Sequence, residues 1–282
     1  MAPASEESPI VAGKDHAGLS VFRPENLIRE ARRQKGLASG SVPAICVLDP
    51  DGDLVRALRA SGEATRCDAW ACYHTDLYAF THGGERFGVV GCAVGAPFAV
   101  LVAEQLFVSG CRFLVSVTSA GQIVPGVLTS RFVLIDRALR DEGTSYHYQP
   151  PARFAHAAPD LAGTVLGAVR TAGMPIDRGT SWTTDAPFRE TEAAIGRARR
   201  EGVLAVEMEA AALYAFAAAR GRDLLCFAQV TNQMAQVGDD FEKGEANGTR
   251  DVLRILVAAA NAFRLFERTR AAKQRPVKRA EA

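Results

Sequence analysis

Short, uninterrupted apolar runs alternate along this chain with longer segments in which apolar residues recur every three or four positions. The short runs predict strands buried on both faces, and the periodic segments predict helices laid across them. Strands are expected over 44–48, 87–93, 112–118, 131–136, 178–183, 203–206 and 224–231. Helices are expected from Pro24 to near Gly36, through Leu54, Val55 and Leu58, from Gly95-Ala96-Pro97 to about Ser109, and over 161–171, 190–201, 207–220 and 247–272. Pro24 stands where a helix tolerates proline, in its first turn. Asp49-Pro50-Asp51-Gly52 reads as a turn. This alternation predicts an α/β fold, a single-domain three-layer sandwich around a mixed, largely parallel sheet. No repeat or low-complexity linker interrupts it. The domain is expected over 44–272, after an arm and short helix (1–43) and before a basic tail (273–282).

Composition narrows the function classes. With 282 residues, 48% hydrophobic and 23% charged, the chain can bury one sizeable core. A net charge of +1 gives no global pull toward nucleic acid or an acidic membrane surface. The cluster Lys273, Arg275, Lys278 and Arg279 reads as a solvated end. Six cysteines without a CxxC pair read as free thiols in a reducing compartment, not a disulfide frame or a metal site. The first residues have acidic groups and no apolar core, so no secretory signal is expected. No apolar run is long enough to span a bilayer. A cytoplasmic protein is the expectation.

In open α/β sheets ligands bind outside the carboxyl ends of strands. There the chain delivers Asp49-Pro50-Asp51-Gly52, Val94-Gly95-Ala96-Pro97, Thr118-Ser119-Ala120-Gly121 and the 183–189 segment, then Val206-Glu207-Met208-Glu209 and Val230-Thr231-Asn232-Gln233. Small, hydroxylated and acidic groups of this kind suit a polyhydroxylated sugar, and no glycine-rich phosphate motif appears. Glu207 and Glu209 are the sharpest feature. A carboxylate at a helix N-terminus gains about 0.3–1 kcal/mol from the dipole, which accounts for one of them. Two charges in an apolar segment need further partners, such as ligand hydroxyls.

These residues resemble the nucleoside phosphorylase and nucleosidase superfamily, most closely its uridine phosphorylase-like members. The resemblance runs from about Ala44 to Ala272. It rests on Gly95-Ala96-Pro97 with Glu104, Val117-Thr118-Ser119-Ala120-Gly121, Gly143-Thr144-Ser145-Tyr146-His147-Tyr148 and Val206-Glu207-Met208-Glu209-Ala210-Ala211. It implies a homo-oligomer, dimer or hexamer, that binds a nucleoside without an organic cofactor or metal, with phosphate as co-substrate. It also implies that Met208, Glu207 and Glu209 hold the ribose, Glu209 accepting from the 2′ and 3′ hydroxyls, and that His16 reaches the 5′-hydroxyl of a neighbouring subunit. The base is expected against Phe188, Arg189 and Asn232, with Arg189 placed either on the base or in a salt bridge to Glu190 or Glu192. Asn232 stands where purine-specific members resemble one another in carrying an Asp. An amide offers no titratable proton there. Gly95, Thr118, Ser119 and Asp49 are expected around the nucleophile. Glu209, Asn232 and Arg189 are the expected catalytic groups.

The resemblance departs at the phosphate. Phosphorolytic members follow a Gly-Asp-Pro turn with Arg, place a second Arg at a strand end and borrow a third from a neighbour. Here the turn reads Leu48-Asp49-Pro50-Asp51-Gly52-Asp53, the strand-end position is Ser116, and the third falls near Cys72. Without guanidinium donors a dianion loses its usual partners. Phosphorolysis, with the base and ribose 1-phosphate as products, is the expectation from the family as a whole. Attack by water, phosphate held by Arg66, Thr118 and Ser119, or nucleoside binding without cleavage remain open. A Cys72–His74 nucleophile pair and a nucleotide-binding oxidoreductase are weaker rivals.

Overall fold

The computed structural model describes residues 8–124, 126, 128, 130–232 and 243–274. The first seven residues, Gln233 and the tail from 275 lie outside the described residues. In chain order the first half runs α1 (Pro24–Gln34), β1 (Ile45–Asp49), α2 (Asp53–Ala60), β2 (Thr65–Arg66), β3 (Tyr78–His82), β4 (Glu85–Gly91), α3 (Ala96–Val108) and β5 (Phe113–Gln122). The second half continues β6 (Phe132–Asp141), β7 (Phe154–His156), α4 (Pro159–Thr171), β8 (Asp177–Thr184), α5 (Glu192–Arg200), β9 (Val203–Glu207), α6 (Ala210–Arg220), β10 (Asp223–Asn232) and α7 (Thr249–Gln274).

The apolar runs become the middle of one mixed sheet in the order β10-β6-β8-β9-β5-β1-β4-β3-β2. β1 is buried along its whole length between β4 and β5, to which it runs parallel. α1, α3 and α6 form one layer of helices, and α2, α4 and α7 another. β10 also pairs β5 in parallel, so β5, β10, β6, β8 and β9 close into a ring within the larger sheet. That closure extends the expected sandwich.

α6 lies against β6, β8 and β10. Residues Ala210 to Ala217 are all buried, and the small side chains of the five alanines among them let the helix approach the sheet closely. It ends at Gly221, whose φ of 62° is the left-handed conformation that glycine adopts most readily. One phenol locks the helix down: Tyr214 is 1% exposed, donates to the Ile135 carbonyl at 2.5 Å and accepts from the Cys226 amide at 3.0 Å. Tyr214→Phe is expected to destabilise the protein by about 1–3 kcal/mol, because it leaves a buried carbonyl and a buried amide without that partner. Urea denaturation checks this.

Three elements differ from expectation. The β3–β4 hairpin turns at Gly83-Gly84, with φ of 57° and 79°. β2 and β7 are too short to leave a pattern in sequence. Cys72 and His74 lie on no strand, and the Cys72 sulfur accepts the backbone N–H of His74, so this segment does not form the paired nucleophile considered above.

Candidate active site

The site forms where the sheet forks. β1 accompanies β5 only as far as Ser116. β9 then meets β5 antiparallel, through Gly121–Val206 and Gln122–Ala205. The carboxyl ends of β5 and β9 therefore converge. Thr118 and Ser119 lie in the gap between the departing β1 and the arriving β9. On the other flank of β5, β10 brings Asn232 opposite Gly121. A crevice at such a divergence is where α/β sheets bind ligands.

The two glutamates separate in role. β9 ends at Glu207, and Glu209 has turned out of the strand at φ −131°, ψ −37°. Glu207 is 4% exposed, and its carboxylate accepts from Ser181 Oγ (3.0 Å), Thr183 Oγ1 (2.5 Å) and the backbone amides of Glu209 and Ala210 (both 2.7 Å). These donors satisfy both oxygens and anchor the start of α6. Glu207 was expected at the ribose. In the structure both of its carboxylate oxygens accept from donors within the protein, and Oε2 caps the start of α6.

Glu209 is 1% exposed. Its Oε1 accepts the Gly95 amide at 2.7 Å, whereas its buried Oε2 accepts nothing among the described residues. The Gly95 backbone stands at φ 88°, a region side-chain-bearing residues rarely adopt, which aims its N–H at the carboxylate as α3 begins. Burial and then the charge of Glu207 push the Glu209 pKa up to about 8, against the opposing pull of the Gly95 amide and the Thr118 hydroxyl. Glu207 is also raised by burial, with its four donors opposing the shift. The result is a fixed, poorly solvated carboxyl group with one free acceptor, able to take a hydroxyl donor or to face developing positive charge.

The β1 turn faces it. Asp49 is buried, accepts the Val55 amide at 2.9 Å, and has its pKa raised to about 6 by burial. Asp51 Oδ1 accepts Ser119 Oγ at 2.9 Å, and Asp51 Oδ2 accepts the Ser119 amide at 3.0 Å. Lys243 pairs with Asp53 at 2.5 Å and lies 3.5 Å from Asp51, and Arg56 pairs with Asp53 at 2.7 Å. Lys243 carried no signal in the sequence, since it arrives from far along the chain after β10. Arg66, considered above as a phosphate ligand, pairs with Asp76 at 2.8 Å on edge strand β2.

The remaining residues frame this centre. Half-buried Met208 lies between the two glutamates. Phe188 is 99% exposed. Arg189 is exposed too and forms no ion pair among the described residues, so the bridge to Glu190 or Glu192 is not made. The Asn232 amide donates to Thr231 Oγ1 at 3.2 Å. His16 hydrogen-bonds the Tyr146 carbonyl at 3.1 Å, which sets the N-terminal arm against the 144–147 turn of its own chain. His147 contacts Lys14, and Glu104 accepts from Tyr148 and pairs with Arg220. Among the described residues no cluster of His, Cys, Asp or Glu could hold a metal ion. No helix among them is long and apolar enough to cross a membrane.

Residues 44–265, which include the whole arrangement except His16 and Lys14 of the N-terminal arm, match the phosphorylase superfamily. The chain belongs to that superfamily. Among its relatives, a purine nucleoside phosphorylase of the DeoD type from Streptococcus thermophilus is 28% identical over 189 residues, covering 63% of this chain and 84% of the relative. The corresponding protein of Bacillus cytotoxicus is 30% identical over 183 residues, covering 64% of this chain and 77% of the relative. That of Bacillus cereus is 29% identical over the same length. These relatives are named for purines, whereas the sequence resemblance leaned toward uridine phosphorylase-like members.

Proposed function

We propose that this superfamily member cleaves the N-glycosidic bond of a nucleoside, with Glu209 engaging the ribose and offsetting charge as the bond breaks. The observation that carries this reading is the buried, unpartnered Oε2 of Glu209 beside an Oε1 fixed by Gly95. A ribose hydroxyl supplies the missing donor. As the C1′–N bond breaks, its electron pair leaves with the base and the sugar becomes oxocarbenium-like. A preorganised carboxylate stabilises that state more than the ground state. Met208 packs on the ribose, Phe188 and Arg189 take the face and edge of the base, Asn232 hydrogen-bonds its edge, and His16 serves the 5′ end.

The new bond to C1′ comes from phosphate, giving a sugar 1-phosphate, or from water, giving the free sugar with the proton passing to the base. The relatives' names favour phosphorolysis, the pentosyltransferase reaction. Water is favoured by the engagement of both Ser119 donors with Asp51. It is favoured too by the lack, among the described residues, of an arginine hydrogen-bonded to Thr118 or Ser119. The reading includes a cytoplasmic homo-oligomer, dimer or hexamer, supported by the exposed apolar residues Leu19, Val21 and Phe22 on the arm that carries His16.

The test is to incubate the protein with purine and pyrimidine nucleosides, with and without phosphate, and separate free base and sugar by chromatography. Release of base supports the reading, and the sugar product names the nucleophile. Binding without release from any nucleoside overturns it in favour of a ligand-binding protein.

A further inference from the structure

We propose that Asp51 determines the nucleophile: its carboxylate occupies the anion-binding donors of Ser119 and keeps phosphate out of the site. This builds on the reading that the site cleaves a glycosidic bond, while its effect on anion binding stands independently of turnover.

The geometry is that of a bound anion supplied by the chain itself. An amide and a hydroxyl of one residue, Ser119, converge on the two oxygens of one carboxylate at 3.0 and 2.9 Å. Bidentate capture of this kind is how proteins hold free carboxylate and phosphate groups. The donors are available because Ser119 lies in the fork, where neither β1 nor β9 pairs with it. Asp51 is held in place through its backbone. The turn is closed by the Gly52 amide on the Asp49 carbonyl at 2.9 Å, and Arg56 donates to the Asp51 carbonyl at 2.7 Å. A tethered carboxylate competes at high effective concentration against any anion in solution.

The surrounding charges reinforce the exclusion. Lys243 and Arg56, two cations beside this turn, are both bound to Asp53. An incoming dianion would have to displace Asp51 and would find those cations already neutralised. It would also face the carboxyl groups of Asp49, Asp53 and Glu209. Water carries no charge, needs no guanidinium partner, and is not opposed by these carboxylates.

Asp51→Ser and Asp51→Asn test this. Serine removes the carboxylate and clears both donors, while asparagine keeps the volume and removes only the charge, so a folding failure of one leaves the other informative. Binding of inorganic phosphate is read by titration calorimetry and by thermal shift, against chloride at equal ionic strength. Wild type is expected to bind phosphate weakly, and the variants to gain roughly ten- to a hundredfold, the value of one or two freed charge-assisted hydrogen bonds. Adding Ser119→Ala to Asp51→Ser should remove most of that gain, which a merely structural role for Asp51 would not produce. Base release should become phosphate-dependent in Asp51→Ser, with a sugar 1-phosphate as product. Phosphate binding by wild type as tight as by the folded variants, or gained binding with release still independent of phosphate, overturns the proposal. Absence of cleavage by every form would instead count against the glycosidic reading, with the binding titrations still deciding what Asp51 excludes.

Discussion

Glu209→Gln will lose on the order of 10²–10³ in kcat while remaining folded, the scale on which removal of one preorganised electrostatic group slows a reaction. The substitution keeps the size of the side chain, and the amide oxygen can still accept from Gly95, so the start of α3 is preserved. What disappears is the negative charge facing the ribose. The loss should appear in kcat more than in KM, because the charge matters most when the sugar is most positive. The pH profile gives a second signature. With the Glu209 pKa raised to about 8, the free protein carries a proton there at neutrality, and kcat/KM should rise with pH and level off above about 8. Stability moves the other way. The folded protein holds this proton between the ordinary 4.5 and about 8 whereas the unfolded chain releases it, so stability falls as pH rises across that window and is flat above it. The slope amounts to at most about 1.4 kcal/mol per pH unit, and Glu209→Gln removes it. Steady-state kinetics and urea denaturation from pH 5 to 9 check both limbs.

Glu207 is expected to behave as a structural residue whose charge is felt next door. Glu207→Ala strands the amides of Glu209 and Ala210 in the interior, along with the hydroxyl donors of Ser181 and Thr183. The hydroxyls can rotate to new partners, but the amides cannot. A loss of about 2–5 kcal/mol follows from two orphaned buried donors and a missing cap. Glu207→Gln should be far milder, because its oxygen can face the two amides while its NH2 group donates to the two hydroxyls. Since the charge of Glu207 is a leading cause of the raised Glu209 pKa, the glutamine variant should shift the acid limb of kcat/KM to lower pH. Chemical denaturation separates the two variants, and the pH profile of Glu207→Gln reads the coupling. A large activity loss in Glu207→Gln without a shift of the limb would place Glu207 at the substrate after all.

The contrast between these neighbours was only half legible in the sequence. An apolar segment holding two acids at a strand-to-helix junction marked the place. The helix dipole could account for one of the two acids, but nothing local said which, and the family resemblance put both at the ribose. The chain leaves the extended conformation between them, which sends Glu207 into the frame and Glu209 into the crevice. The buried strands were legible because β1, β4, β5 and β10 are apolar on both faces. β2 and β7 were not, being only two and three residues long. Closure of the ring depends on β10 pairing with both β5 and β6, a long-range choice that no local pattern records. Missing arginines announced the departure at the phosphate. Nothing announced that Asp51 would bind Ser119, or that Lys243 would reach Asp53 across 190 residues of sequence.

Time courses of base release from a panel of ribonucleosides, run side by side for wild type and Glu209→Gln, test whether Glu209 drives glycosidic cleavage. Release by wild type from at least one nucleoside, with Glu209→Gln still binding that nucleoside but releasing base at least a hundredfold more slowly, as loss of a preorganised charge predicts, is the expected result. Equal release by both proteins, or none by wild type from any nucleoside it binds, would contradict a Glu209-centred glycosidic cleavage.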